Sequence, residues 1–155
     1  MNLGEAVKTC FTKYYTFSGR ASRSEFWWFV LFLAVISSLI QSYVQSGNGT
    51  ISVKIGLNFY LSTEAHWLEN LFTLTTLVPF IAALTRRLHD IGTSGWRGLG
   101  FFALLALIIA SFFVLPWQIS AFALLIAVAI GLFFLSRKSD HGTNQYGPNP
   151  YEVAQ

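Results

Sequence analysis

Charge is scarce in this chain: only 11% of its 155 residues are Asp, Glu, Lys or Arg, while 54% are hydrophobic. Soluble domains carry about 25% charged residues, so an ordinary water-soluble fold is excluded and a membrane solvent is expected. Cysteine is nearly absent as well, since Cys10 stands alone. No intramolecular disulfide can form, and nothing requires an oxidising compartment. A net charge of +3 is spread over separate short segments. It makes no continuous basic stripe, which argues against nucleic acid as a partner. The first twenty residues lack an apolar core ending in small residues, so no cleavable leader is expected and the first apolar run must target the chain. No internal repeat marks an inverted-topology transporter, and no low-complexity linker divides the chain. Residues 1–155 read as a single integral membrane domain.

What the chain has in quantity is aromatic and aliphatic bulk, with 15 Phe and 5 Trp. Phe26 to Val44 is a run without an ionisable group, long enough at about 1.5 Å per residue to cover nearly all of a roughly 30 Å hydrocarbon core. Just before it, Ser22 and Glu25 match a capping box and predict a helix start near Arg23. A second span is expected over about 67–85, with Glu69 near the water boundary and a kink at Pro79. Two further apolar stretches, about 98–115 and 119–136, are separated only by Pro116, Trp117 and Gln118. They predict an antiparallel helical hairpin.

The fold expected is therefore an all-α membrane protein, a four-transmembrane-helix bundle. Orientation follows from cations in the short loops. Lys8, Lys13, Arg20, Arg23, Arg86, Arg87, Arg97, Arg137 and Lys138 fall on one side and Lys54 alone on the other, which places both termini in the cytoplasm. Trp27, Trp28 and Trp96 then mark the inner interface, and Trp67 and Trp117 the outer one.

Leu3, Val7, Cys10, Phe11 and Tyr14 fall near helical spacing. They predict an N-terminal amphipathic helix, either along the inner leaflet or capping the bundle. In the outer loop, Ile51, Val53, Ile55, Leu57, Phe59 and Leu61 alternate, which suggests a short β element bent at Gly56. Asn48-Gly49-Thr50 is formally a glycosylation tripeptide, a pattern that recurs by chance. Within the spans, Ser37, Ser38, Gln41, Thr75 and Thr76 are expected to make interhelical hydrogen bonds, a narrow polar path being the alternative.

Outside the spans, three segments carry most of the remaining information. They are Phe17-Ser-Gly-Arg-Ala-Ser-Arg-Ser-Glu-Phe-Trp-Trp28, Arg86-Arg-Leu-His-Asp-Ile-Gly-Thr-Ser-Gly-Trp96 and Asn144-Gln-Tyr-Gly-Pro-Asn-Pro150. In content and order they resemble the bacterial DUF 805 family of inner-membrane proteins of unassigned function. The resemblance covers nearly the whole chain and implies a multi-pass protein of the bacterial inner membrane. It carries no catalytic residues over. Thr93 departs from the family pattern, in which a basic residue follows the His-Asp-x-Gly unit, so an anion site would be weaker here.

The three segments can share one inner interfacial layer. A functional reading makes it an anion site, with Arg20, Arg23, Arg86, Arg87, His89 and Arg97 facing a lipid headgroup or another phosphate-containing ligand. Glu25, Asp90, Trp96, Asn144 and Tyr146 would support it. A structural reading explains the same residues locally. Asp90 lies four residues after Arg86 and can pair with it, Gly92 ends a helix, His89 bonds within the loop, and Tyr146 lies on the layer from a tail turn.

No nucleophile motif is present, and His89, Asp90, Asp140 and His141 lack the spacing of metal ligands, so neither a metal nor a cofactor is expected. Acid–base chemistry at His89 and Asp90 on a lipid would be an isolated signal. The absence of ionisable residues in the core spans argues against an ion-coupled transporter. A small interaction or scaffold protein, binding another membrane protein or a second copy of itself, ranks ahead of a headgroup binder.

Overall fold

The computed structural model describes residues 1–48 and 67–152. Five helices run through them: α1 (Leu3–Thr12), α2 (Arg23–Asn48), α3 (Trp67–Asp90), α4 (Gly95–Ser111) and α5 (Trp117–Ser136). No strand occurs among the described residues. The alternating segment with Gly56, the cation Lys54 and most of the glycosylation tripeptide lie outside them.

Among the described residues, three helices are long and apolar enough to cross a bilayer: α2 over Arg23–Tyr43, all of α3, and α5. α4 is a 17-residue apolar helix, about 26 Å long at the standard rise. α2 begins at Arg23, where the capping pattern placed its start. α3 outruns its expected end and reaches Asp90, and α4 opens at Gly95.

The helical hairpin differs from its expected outline. α4 stops at Ser111 instead of running to 115, so the connector is 112–116. The cause is local. Ser111 Oγ bonds back to the Ile108 carbonyl at 2.6 Å, and the next amides turn tightly onto nearby carbonyls, Phe113 on Ala110 and Val114 on Ser111. Pro116 follows, with no amide to continue a helix.

The chain forms two compact units, Met1–Thr16 with Ser24–Ala83 and Phe17–Arg23 with Leu84–Gln155. In the first, α1 opens with a capping box: Glu5 N donates to Asn2 Oδ1, and Asn2 N to Glu5 Oε2, both at 2.9 Å. α1 meets α2 through Cys10 and Phe11. Ala6 and Cys10 are fully buried, while Leu3 and Phe11 stay exposed. The Phe11 ring stands edge-on to Phe29 and Phe32, with centroids 5.8 and 6.4 Å away.

Pro79 lies inside α3 and cannot donate to the carbonyl of Thr75, four residues earlier. That freed carbonyl accepts the Tyr14 hydroxyl at 2.6 Å. The segment after α1 thus supplies the donor that proline removes, as an apolar solvent demands.

Three of the hydroxyls expected to bridge helices bond within their own helix instead. Ser38 bonds the Ala34 carbonyl, Thr75 that of Leu71 and Thr76 that of Phe72. Each is a four-residue back-bond that satisfies the hydroxyl within its own helix, the local alternative available to Ser and Thr in any helix. A hydroxyl pair that crosses between helices is Ser111 Oγ to Ser120 Oγ, 2.8 Å.

In the second unit, Ser111 meets Ser120 near the connector, and Phe101 meets Gly131, where a Cβ would come within 2.7 Å of the ring. As one position climbs along α4 its partner descends along α5. The two are therefore antiparallel neighbours, as the short connector requires.

Candidate functional site

The residues that the sequence marked as chemical gather in the second unit, where the turn 17–23 meets the end of α3 and the C-terminal tail. Asp90, the last residue of α3, is completely buried. Its carboxylate accepts from three donors: Arg20 Nε on Oδ1 at 2.9 Å, and Arg87 Nη1 and Ser139 Oγ on Oδ2. The pairing along the helix is carried by Arg87, three residues before Asp90.

Arg20 has five N–H donors, as every guanidinium does, and five protein acceptors meet them. Besides the Asp90 carboxylate, Nη1 reaches the carbonyls of Gly142 and Gly147 at 2.8 and 3.3 Å. Nη2 reaches those of Asp140 and Asp90 at 2.6 and 3.3 Å. Only 1% of the side chain is exposed. One guanidinium therefore ties the chain before α2 to the end of α3 and to two turns of the tail.

Arg87 does the same for α5. Its Nε donates to the Leu135 carbonyl at 2.9 Å, and its Nη2 to that of Arg137. Both carbonyls belong to the last turn and C-cap of α5, where backbone acceptors have no partner inside the helix and a positive charge is favoured. Arg87 is a C-terminal cap supplied by a neighbouring helix.

His89 lies with its ring flat against Tyr146, centroids 3.8 Å apart and planes 1° from parallel. Its Nδ1 lies 3.2 Å from the Gly19 carbonyl. Asn144 holds the same turn through Nδ2 to the His89 carbonyl, 3.0 Å. Tyr146 thus lies against this layer from the tail, while His89 reaches the turn before α2 rather than bonding within its own loop.

Gly92 follows the end of α3 with φ +70°, and a Cβ there would come within 2.6 Å of Asp140 Oδ2. The left-handed backbone and the close approach of the tail both select glycine. The tail closes on itself through Asn149, whose Nδ2 donates to the Asp140 carbonyl and to Glu152 Oε1 at 3.1 and 2.9 Å.

The remaining expected residues fall elsewhere. Arg86 is buried, with its carbonyl accepting the Ala21 amide at 3.0 Å, and Arg23 is half-buried at the start of α2. Glu25 belongs to the first unit, where Cys10 Sγ lies 4.0 Å from its Oε1. Trp96 is 80% exposed. Arg97 is exposed, and its guanidinium makes no hydrogen bond or ion pair among the described residues. Ser94, which precedes α4, makes no side-chain cap.

Of the expected set, then, Arg20, Arg87, His89, Asp90, Asn144 and Tyr146 are drawn together. What sequence reasoning missed is their partners. Ser139 and the carbonyls of Leu135, Arg137, Asp140, Gly142 and Gly147 carry no residue-type signal of chemistry. Among the described residues no three His, Cys, Asp or Glu side chains converge as metal ligands.

A family model described as a protein of unknown function, DUF805, matches residues 14–148. The inner membrane protein YhaI of Escherichia coli K12 is 29% identical over 137 residues, covering 88% of this chain and 87% of its own. The YhaI of Escherichia coli O157:H7 matches to the same extent. No solved structure matches the chain.

Proposed function

The chain belongs to the DUF805 family, and from that premise we propose that it is a four-span inner-membrane interaction protein whose cytoplasmic rim is a preassembled docking surface. The observation that carries this reading is the saturation of Arg20. All five of its donors meet protein acceptors drawn from the end of α3 and the C-terminal tail. A cationic side chain used in this way builds a rigid surface and has no donor left for a ligand.

Exposed groups stand on that rigid base. Trp96 and Tyr151, 80% and 56% exposed, are of the residue types that dominate binding energy at protein interfaces. The four-span topology draws support from the helix ends. The start of α2, the end of α3, the start of α4 and the end of α5 all contribute to the second unit. With α4 and α5 antiparallel, an even number of crossings returns the tail to the side from which α2 departs. Nine cations to one put that side in the cytoplasm.

A photo-crosslinking amino acid placed at Tyr151 should yield one reproducible protein adduct in native membranes, whereas the same probe at Leu125 should yield lipid adducts. Equal, featureless labelling at both positions would refute the docking role. Orientation is tested separately in a Cys10→Ser background. Lys54→Cys should react with an impermeant maleimide added outside, and Lys138→Cys should not.

A further inference from the structure

An apolar cleft of about 300 Å³ opens in the second unit beside Arg97, at the lower end of the size range of ligand sites. Three helices wall it: Leu84 and Leu88 of α3, Arg97 and Phe101 of α4, Ile130 and Phe134 of α5. Each pair is four residues apart, about 6 Å of helical rise, so the cleft runs along the helix axes. Glycines let its walls approach closely. A Cβ on Gly98 would come within 2.7 Å of Leu88, and one on Gly131 within 2.7 Å of Phe101.

The polar end is simple. Thr93 Oγ1 already donates to the Leu88 carbonyl at 2.8 Å. Arg97 is the one ionisable residue of the lining, and its guanidinium has no partner among the described residues. The wall is thus hydrocarbon with a single positive charge in the first turn of α4, at the end of the cleft nearest the Asp90 cluster in sequence.

In a membrane protein, the molecule complementary to a hydrocarbon trough ending in one cation is an anionic phospholipid. We propose that the cleft takes the headgroup-proximal part of one acyl chain of such a lipid, with its phosphate drawn to Arg97 by charge and bidentate hydrogen bonding. The proposal moves lipid recognition away from Arg20 and Arg87, whose donors hold protein carbonyls. It depends only on the chain lying in a bilayer, so its failure leaves the docking role untouched.

The test is native mass spectrometry of the detergent-solubilised protein, with phosphatidylglycerol and phosphatidylcholine supplied at equal concentration. Wild type should retain one phosphatidylglycerol in preference to phosphatidylcholine. Arg97→Gln should lower phosphatidylglycerol retention about fivefold, the order expected for one cation near an anionic lipid, and lower that of zwitterionic phosphatidylcholine less. Arg97 is exposed, so this variant keeps the fold and its result stands alone.

Ile130→Trp, at a wall position already 48% exposed, should fill the trough and reduce retention of both lipids. Lys138→Gln, an exposed cation outside the lining, should change neither. Equal losses from Lys138→Gln and Arg97→Gln would overturn the proposal, as would full retention in Ile130→Trp, or recovery only of lipid-free dimers with the cleft closed by a second copy.

Discussion

Asp90→Asn isolates the charge at the centre of the rim while keeping its shape. The native carboxylate is fully buried and receives Arg20 on one oxygen and Arg87 with Ser139 on the other. Asparagine keeps a single oxygen, so one of its two faces turns an amide donor toward a guanidinium donor. Both arginines retain bonds to backbone carbonyls, yet neither keeps its counter-charge. Removing one partner of a buried ion pair costs about 3–5 kcal/mol. At roughly 2–4 °C per kcal/mol for a chain of this size, the unfolding midpoint should fall by roughly 6–20 °C. The assay is far-UV circular dichroism melting of detergent-solubilised protein, with limited proteolysis of the C-terminal tail alongside. A midpoint within about 2 °C of wild type, less than 1 kcal/mol on the same scale, and an unchanged digest would refute the reasoning. Arg87→Met should also cost less in the Asp90→Asn background than alone, because the lost pair is shared. Strict additivity of the two would mean that Arg87 acts only through the α5 carbonyls.

Three further substitutions probe neighbouring parts of the argument. Arg20→Lys keeps the charge but offers three donors from one nitrogen in place of a five-donor fork, so maleimide labelling should report unchanged orientation while tail proteolysis accelerates and stability drops by roughly 1–3 kcal/mol. Gly92→Ala forces a Cβ onto a φ of +70° and against Asp140, and should cost roughly 1–2 kcal/mol from the backbone alone, read as a lower melting midpoint. Tyr14→Phe should cost about 1 kcal/mol in wild type and less in a Pro79→Ala background, where an amide returns to reclaim the Thr75 carbonyl; an undiminished cost in SDS-titration unfolding would break that link.

The helices were legible because a bilayer leaves few solutions. The uncharged run from Phe26 and the Ser22/Glu25 pair located the start of α2, and Pro116 located the break between the last two helices. The end of α4 was not legible. Any of several residues before Pro116 could have closed the helix, and the choice of Ser111 depends on a hydroxyl finding both the Ile108 carbonyl and Ser120. The intrahelical bonds of Ser38, Thr75 and Thr76 were equally open, since a hydroxyl in a helix can serve its own backbone or a neighbour.

The cluster of Arg20, Arg87, His89 and Asp90 was legible as a cluster, because its motifs flank apolar runs at ends that the expected four spans would put on one side. Its chemistry was not, and the reason lies in the guanidinium itself. A planar fork of donors fits phosphate oxygens, and it serves equally well the carbonyls left without partners at a helix end or in a folded tail. Which acceptor wins depends on burial. At Arg20 and Arg87 the side chains are inside, beside Asp90, and carbonyls of residues as unremarkable as Leu135 and Gly142 fill the fork. At Arg97 the side chain is outside, no described acceptor reaches it, and hydrocarbon lines the space next to it. Ligand chemistry is therefore to be sought at the arginine whose own sequence neighbourhood, between Trp96 and Gly98, had given it the least distinction.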